Sequence, residues 1–330
     1  MDMVTLKDIA KSLHLSVTTV SRVLSDDKTL KVSAQTRRAV LAEAARQGYT
    51  PRRKKKTRRL VGVISWLEQS AELADPYFME IRHGIEQLAH SQGVFIMTLY
   101  RGPSGYAIEK LTGVDGLIAI GRFTHDDIRL FEKVSRNIVF VDTAPDSLKY
   151  DAVVLDYRQS VEAVLEHLTS WYAAAIGFVG GVETDVFRPW PEEPRAYYFE
   201  KMLRQANMFE PRHKHLVGFS LEAGYAWMKT MLETKQPLAR AYFCANDSIA
   251  IGVLKALQEA HIPVPESVAL VGFNDIAQAT YTHPSLSTLK VPTEAMGEEA
   301  LRSLLNRLDQ VGWLPIKKTM PTRLVVRASS

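Results

Sequence analysis

The stretch VTLKDIAKSLHLSVTTVSRVL, Val4 to Leu24, decides how the chain is read. Thr5 and Ser16 each stand directly before a short helical pattern. There a side-chain oxygen can accept a hydrogen bond from an otherwise unpaired helix N–H. Leu6, Ile9, Ala10 and Leu13 recur at helical spacing, as do Val17, Val20, Val23 and Leu24. The turn between the two patterns is about three residues long, which suits two helices packed at a steep angle, a helix-turn-helix. The second helix is small at its front: Val17, Thr18, Thr19, Ser21 and Arg22. Such side chains can enter a DNA major groove, with arginine reaching phosphate or a guanine edge. Val17 and Thr18 are expected to read bases. Thr5, Ser16, Thr19, Ser21 and Arg22 are expected to hold register through phosphates. The plainer alternative is an ordinary helical hairpin whose Ser and Thr are only caps.

Beyond this stretch, Ser33 reads as another cap. Ala34 to Gln47 reads as a helix with Val40, Leu41, Ala44 and Ala45 inward, ended by Gly48, and Tyr49 is placed to cover the core. A basic run follows: Arg52, Arg53, Lys54, Lys55, Lys56, Arg58 and Arg59. It is either a solvated linker or a tether that touches phosphates, and Arg52, Arg53 and Lys54 are the candidate contacts. Residues 1–60 hold 15 Lys/Arg against 5 Asp/Glu, +10, while the remainder is −6 within the total of +4. A basic head on an acidic body assigns polyanion binding to the head and makes it salt-dependent.

The chain has 330 residues, 46% hydrophobic and 24% charged, enough for two or three domains with a substantial core. No apolar run approaches the ~20 residues of a membrane span. The polar N-terminus argues against a secretory signal, and Cys244 is alone, so a reducing cytoplasm is expected. Cys244 sits in the apolar run AYFC and reads as a core residue rather than a nucleophile.

From Leu60 onward apolar runs alternate with helical patterns. LVGVIS, VFIMTLY, DGLIAIG, NIVFVD, DAVVLD, AAIGFVGG, RAYFCAND and VALVGFND read as strands. Helices are expected at Tyr77–Ser91, Ser160–Ser170, Pro194–Ala206, Ala223–Thr234 and Ser248–Ala260, with Asp75-Pro76 as a turn before the first. Continuous apolar strands between helices predict an α/β fold of parallel sheets buried on both faces, here two doubly wound sheets. Ligands then sit outside the carboxyl ends of the strands. Asp142, Asn246 with Asp247, and Asn274 with Asp275 close predicted strands there. No G-x-S-x-G, P-loop or dinucleotide glycine pattern is present. Gly180-Gly181 reads as a tight turn, and His213 and His215 as surface loop residues. No cofactor or metal is expected.

The string T-L-x-D-[IV]-A-x-x-x-x-[LV]-S-x-x-T-V-S-R-V-L resembles the headpiece of the LacI/GalR family of transcriptional regulators. His14 stands where that family usually has the turn glycine. DPYFMEIRHGIEQLAHSQG, IGFVGG, ANDSIAIGVLKAL, P-x-x-V-A-L-V-G-F-N-D and HPSLSTL are similar to strings of the family's effector-binding core, so the resemblance spans nearly the whole chain. It implies a helix-turn-helix domain (1–50), a hinge (51–59) and a periplasmic-binding-protein-like core (60–330). The core would comprise an N-subdomain of about 60–155 and 289–318 and a C-subdomain of about 156–288 and 319–330. The resemblance also implies effector contacts at Asp142, Arg195, Phe219, Asn246 and Asn274: a carboxylate, an arginine fork, an aromatic platform and two amides. Each has a plainer reading, as a helix cap for Asp142 and Asn246, an ion-pair partner for Arg195 and a core ring for Phe219. The family's hinge helix, with its N-x-x-A-R-x-L pattern and minor-groove leucine, has no counterpart here, which puts operator bending in question.

Within the family, DPYFMEIRHGIE, the YDAV run, DSIAIGVL and the late ND-I are similar to a regulator of a β-galactosidase operon, which implies a β-galactoside or similar saccharide as effector. The reading is a DNA-binding transcriptional repressor of sugar-utilisation genes, not an enzyme. It would act as a homodimer on operator DNA and be released by a small saccharide. TRLVVRASS carries no leucine heptad, so no tetramerisation helix is expected. Two rivals stay open: a saccharide-sensing module without operator binding, and a sugar-processing α/β enzyme using Asp142, Asp247 or Asp275.

Overall fold

A computed structural model describes residues 4–24, 30, 32–49, 59–72, 76–172, 175–181, 193–310 and 312–330. The chain divides into two compact units, Met1–Thr57 with Asp309–Gly312, and Arg58–Leu308 with Trp313–Ser330.

In the small unit, α1 (Leu6–Ser12), α2 (Val17–Leu24) and α3 (Ala34–Arg46) enclose Ile9, Ala10, Val20, Val23, Val40 and Ala44. Tyr49 packs against this cluster, and its N–H closes the end of α3 on the Ala44 carbonyl at 2.8 Å. Two expected core residues are not in it: Leu41 is 50% exposed and Ala45 is exposed. The buried face of α3 is the single i, i+4 row of Val40 and Ala44, because two short helices cannot cover a wider stripe. His14 adopts φ 53°, the left-handed turn conformation, with a histidine where glycine would be unstrained.

The large unit holds two six-stranded sheets among the described residues. Strands β1 (Arg59–Ser65), β2 (Val94–Leu99), β3 (Gly116–Ile120), β4 (Ile138–Val141) and β5 (Asp151–Leu155) run in parallel with β11 (Lys317–Met320). Their order is β2-β1-β3-β4-β5-β11. The second sheet is ordered β7-β6-β8-β9-β10-β12, from β6 (Ile176–Val179), β7 (Lys214–His215), β8 (Ala241–Cys244), β9 (Ala269–Asn274), β10 (Ser287–Lys290) and β12 (Arg323–Val325). It is parallel except for β12, which runs against β10. The order reverses beside the first strand of each sheet, the point at which doubly wound sheets open a crevice.

Helices cover both faces: α4 (Gln69–Glu72), α5 (Tyr77–Gln92), α6 (His125–Glu132), α7 (Tyr157–Trp171), α8 (Pro194–Gln205), α9 (Leu221–Glu233), α10 (Asp247–Glu259), α11 (Gln278–Tyr281) and α12 (Thr293–Asp309). The central strands are therefore buried on both sides, as their unbroken apolar runs require. The chain passes from the first sheet to the second after β5, back after β10 at Lys290, and over again between β11 and β12. Cys244 is a fully buried strand residue whose thiol is pushed up by burial. His213 is not on the surface: it is 2% exposed, and His215 forms part of β7 beside Trp227, ring centroids 4.7 Å apart. The edge strand β7 draws RHKH under the neighbouring helix, so a charged-looking loop is packed.

Candidate functional site

The front of α2 is built by its cap. Ser16 Oγ accepts the Thr19 N–H at 3.0 Å and meets Thr19 Oγ1 at 2.8 Å. Thr5 caps α1 differently from the expectation. Its N–H and its hydroxyl both donate to Asp8 Oδ2, at 2.8 and 2.7 Å. A carboxylate three residues into the helix is a stronger acceptor than the hydroxyl, and these bonds lower the Asp8 pKa. Val17 is 40% exposed and Thr18 is exposed, while Val20 and Val23 on the opposite face are buried. The front of α2 is therefore open to a groove, while its other face is packed. Thr19, Ser21 and Arg22 are half-buried around this front. Arg52, Arg53 and Lys54 lie outside the described residues, as does Asp75.

In the large unit the carboxyl ends of the two sheets meet. Asp142, φ 71°, follows β4 and its Oδ1 accepts two phenolic hydroxyls. Tyr77, which opens α5, donates at 2.9 Å, and Tyr157, which opens α7, donates at 2.8 Å. Burial, and then the Asp142 charge, push both phenols above their ordinary range, so they stay protonated donors. Arg195, 9% exposed, lies in the first turn of α8. Its Nε donates to Glu193 Oε1 at 2.6 Å, and a terminal nitrogen donates to the Ala245 carbonyl. The guanidinium lies over Phe273 at 4.9 Å, Phe219 at 5.5 Å and Tyr157 at 5.7 Å from the ring centroids. Burial is the largest single influence and works against its charge, but Glu193, Tyr157 and Asp142 together raise the pKa.

Asn246 is the N-cap of α10. Its Oδ1 accepts the Ile249 N–H at 2.9 Å, and its Nδ2 donates to the Phe219 carbonyl at 3.1 Å. Asn274 ends β9 at φ 117° and is 7% exposed.

Structure thus brings Asp142, Arg195, Phe219, Asn246 and Asn274 to one crevice. Sequence reasoning missed Tyr77, Tyr157, Glu193 and Phe273. Tyr77 and Tyr157 each open a helix, α5 and α7, but nothing local in the sequence ties either to Asp142. Glu193 precedes the Pro194 that opens α8, an N-cap signature, and its Oε2 accepts the Ala196 N–H at 3.0 Å. The two other acids of the enzyme alternative are otherwise occupied. Asp247 is fully buried, accepting the Ile276 N–H at 2.9 Å and the Thr288 hydroxyl at 2.5 Å. Asp275 is held by Arg327 at 2.6 Å.

A helix-turn-helix unit joined to a two-sheet ligand-binding core defines a ligand-responsive, DNA-binding regulator of transcription. The chain belongs to the lacI family of bacterial regulatory proteins. That family's model matches residues 5–52, and the model of the periplasmic binding protein-like domain matches residues 165–330. The chain is 34% identical to the HTH-type transcriptional regulator GalR of Lacticaseibacillus casei, over 99% of this chain and 100% of that protein. It is 34% identical to the HTH-type transcriptional repressor MelR of Bacillus subtilis (strain 168), over 99% and 97%. Among solved structures it resembles a transcriptional regulator CelR–cellobiose complex (TM-score 0.69, 24% identity, 99% of this chain and 100% of that one). It also resembles a Lac repressor dimer bound to operator and an anti-inducer (TM-score 0.67, 23% identity, 99% of each). These relatives are regulators of transcription rather than enzymes, and so is this chain.

Proposed function

We propose that this regulator is a cytoplasmic repressor of sugar-utilisation genes, released from operator DNA by a small saccharide of the β-galactoside class. The observation that carries the effector half is the crevice itself. A carboxylate, a pinned guanidinium and a strand-end amide converge beside three aromatic rings, which suits a ligand with many hydroxyls and one apolar face. The solved structures of similar fold include one with cellobiose, and the relatives include regulators named GalR and MelR, which supports a saccharide.

On this reading Val17 and Thr18 read bases. Thr5, Ser16, Thr19, Ser21 and Arg22 hold phosphates, with Arg52, Arg53 and Lys54 adding contacts from the tether between domains 1–50 and 60–330. A homodimer sets two recognition helices about 34 Å apart in successive major grooves. Effector lowers DNA affinity to the extent that it prefers the non-binding state.

The test is selection of bound duplexes from a random pool at near-physiological salt, repeated with a panel of galactosides and glucosides. A near-palindrome whose enrichment is lost with one galactoside is the expected result. Enrichment that no saccharide alters would overturn the effector assignment. Bulk, salt-sensitive binding without an enriched sequence would overturn operator recognition and leave a saccharide-sensing module.

A further inference from the structure

The large unit is acidic overall, yet one of its surfaces is not. A cavity of about 580 Å³ is lined by Arg129, Glu132, Lys133, Arg136, Lys149 and Arg307. Counting the carboxylates paired to these residues, five cations face three acids: Asp126, Glu132 and Asp151. Three of the cations are committed. Arg129 pairs with Asp126, Lys149 pairs with Glu132, and Arg307 pairs with Asp151 at 3.0 Å. Lys133 and Arg136 are exposed and have no ion pair among the described residues.

One wall is rigidly built. The Arg307 side chain is 15% exposed, and it also donates to Asn137 Oδ1 at 3.4 Å and to the Lys149 carbonyl at 3.3 Å. Asp151, fully buried, is held further by Trp313 Nε1 at 2.9 Å and the Ile316 N–H at 2.7 Å. The cavity therefore combines a fixed guanidinium with two uncommitted cations at its exposed rim. That chemistry accepts an anion with several oxygens, the phosphate pattern.

Position selects the source. Arg136 stands two residues before β4 and Lys149 two before β5, while Arg59 opens β1; the three strands share one parallel sheet. These residues therefore cluster at one end of that sheet, the end where the chain from the DNA-binding unit arrives. Arg59 itself donates to the Leu305 carbonyl at 3.3 Å, one helical turn or less from Arg307. Residues 50–58 can span at most about 30 Å fully extended, at ~3.3–3.6 Å each. The tether thus sets an upper limit on the distance between the point where it enters β1 and the headpiece.

We propose that this cavity is a second, sequence-independent DNA contact, in which Lys133 and Arg136, on the wall that Arg307 fixes, hold backbone phosphates of the duplex flanking the operator. The proposal rests on the operator-binding reading above.

The experiment compares the full-length protein with its Lys133→Gln/Arg136→Gln variant on two duplexes carrying the selected site. One duplex ends at the site, and the other extends about one helical turn beyond it on each side, ~10 base pairs. Both exchanges lie at exposed positions, so folding is preserved, and binding to the short duplex checks this directly. On the short duplex the two proteins should bind alike. On the long one the native protein should bind several-fold tighter than the variant. Its log–log salt slope should be steeper by about 0.9 for each phosphate that the two side chains neutralise. Equal affinity and slope on the long duplex would overturn the proposal. So would pyrophosphate binding abolished by the double exchange with no effect of duplex length, since the cavity would then take a free anion. Failure of the native protein on the short duplex would instead strike at operator recognition, and the flanking contact would fall with it.

Discussion

Arg195→Ala is the sharpest probe of the crevice, because the structure says what is left behind. Glu193 is 4% exposed and would keep only the Ala196 N–H as a partner. The Ala245 carbonyl loses its donor, and three rings lose the cation above them. Removing one member of a buried ion pair costs about 3–5 kcal/mol, most of it the stranded charge. The cation–π contacts fall within that figure rather than adding to it. The core should melt lower by on the order of 10 °C, at about 2–4 °C per kcal/mol for a unit of this size. Pairing Arg195→Met with Glu193→Gln strands no charge, and the new amide oxygen can still accept the Ala196 N–H. The pair should recover most of the stability and none of the effector response. Thermal and urea melts give the stabilities. Fluorescence anisotropy of labelled operator, with and without saccharide, gives the response. A single variant within ~1 kcal/mol of native stability, or a double variant no more stable than the single, would refute the stranded-charge argument. Retained induction in the double variant would remove Arg195 from the effector site.

Two further outcomes follow from particular residues. His14→Gly should stabilise the headpiece by about 0.5 kcal/mol. A side chain at φ 53° costs ~1–2 kcal/mol, and glycine gives back ~0.5–1 in chain entropy; urea unfolding of the two proteins compares them, and a less stable glycine variant would refute the strain. His213 and His215 are held below 6.5 by burial, with His213 also depressing His215, and Nδ1 of the first and Nε2 of the second have no hydrogen bond. The unfolded chain then takes up protons that the folded core resists. Stability is full above about pH 6.5 and falls as pH drops below it, and replacing both histidines by glutamine should flatten that limb of a stability–pH profile.

Much of this was legible because each signal was local. Ser16 before Val17, Ser33 before Ala34 and the unbroken strands from LVGVIS to VALVGFND fix their own conformations, so caps and strands fell where the pattern put them. What failed depended on neighbours. Leu41 reads as core on helical periodicity and lies in water, since two short helices leave no surface to receive it. RHKH reads as a polar loop and is packed, because β7 pairs with β6 from far along the chain. The strand β11, KKTM, carries no apolar run at all; it is an edge strand defined only by its pairing with β5. The crevice shows the same division. Strand-end polar residues could be found by position, whereas the tyrosines that hold Asp142 could not be assigned to it without the fold.

Those two tyrosines explain how one carboxylate can serve both lobes. Tyr77 comes from a helix that opens toward the first sheet, and Tyr157 from one that packs on α8 and β12 of the second. Both hydroxyls reach Oδ1, so the two lobes are joined through a single oxygen, while Oδ2 keeps no protein donor among the described residues. A ligand hydroxyl can therefore bind Asp142 without cutting the cross-link, and its charge-assisted bond would add to the two already there. On the proposed reading, ligand at this position adds a bond to a carboxylate that already ties the two lobes. On that reading, release of DNA follows to the extent that the ligand prefers one arrangement of the lobes, since a ligand shifts an equilibrium only by its differential affinity for the two states.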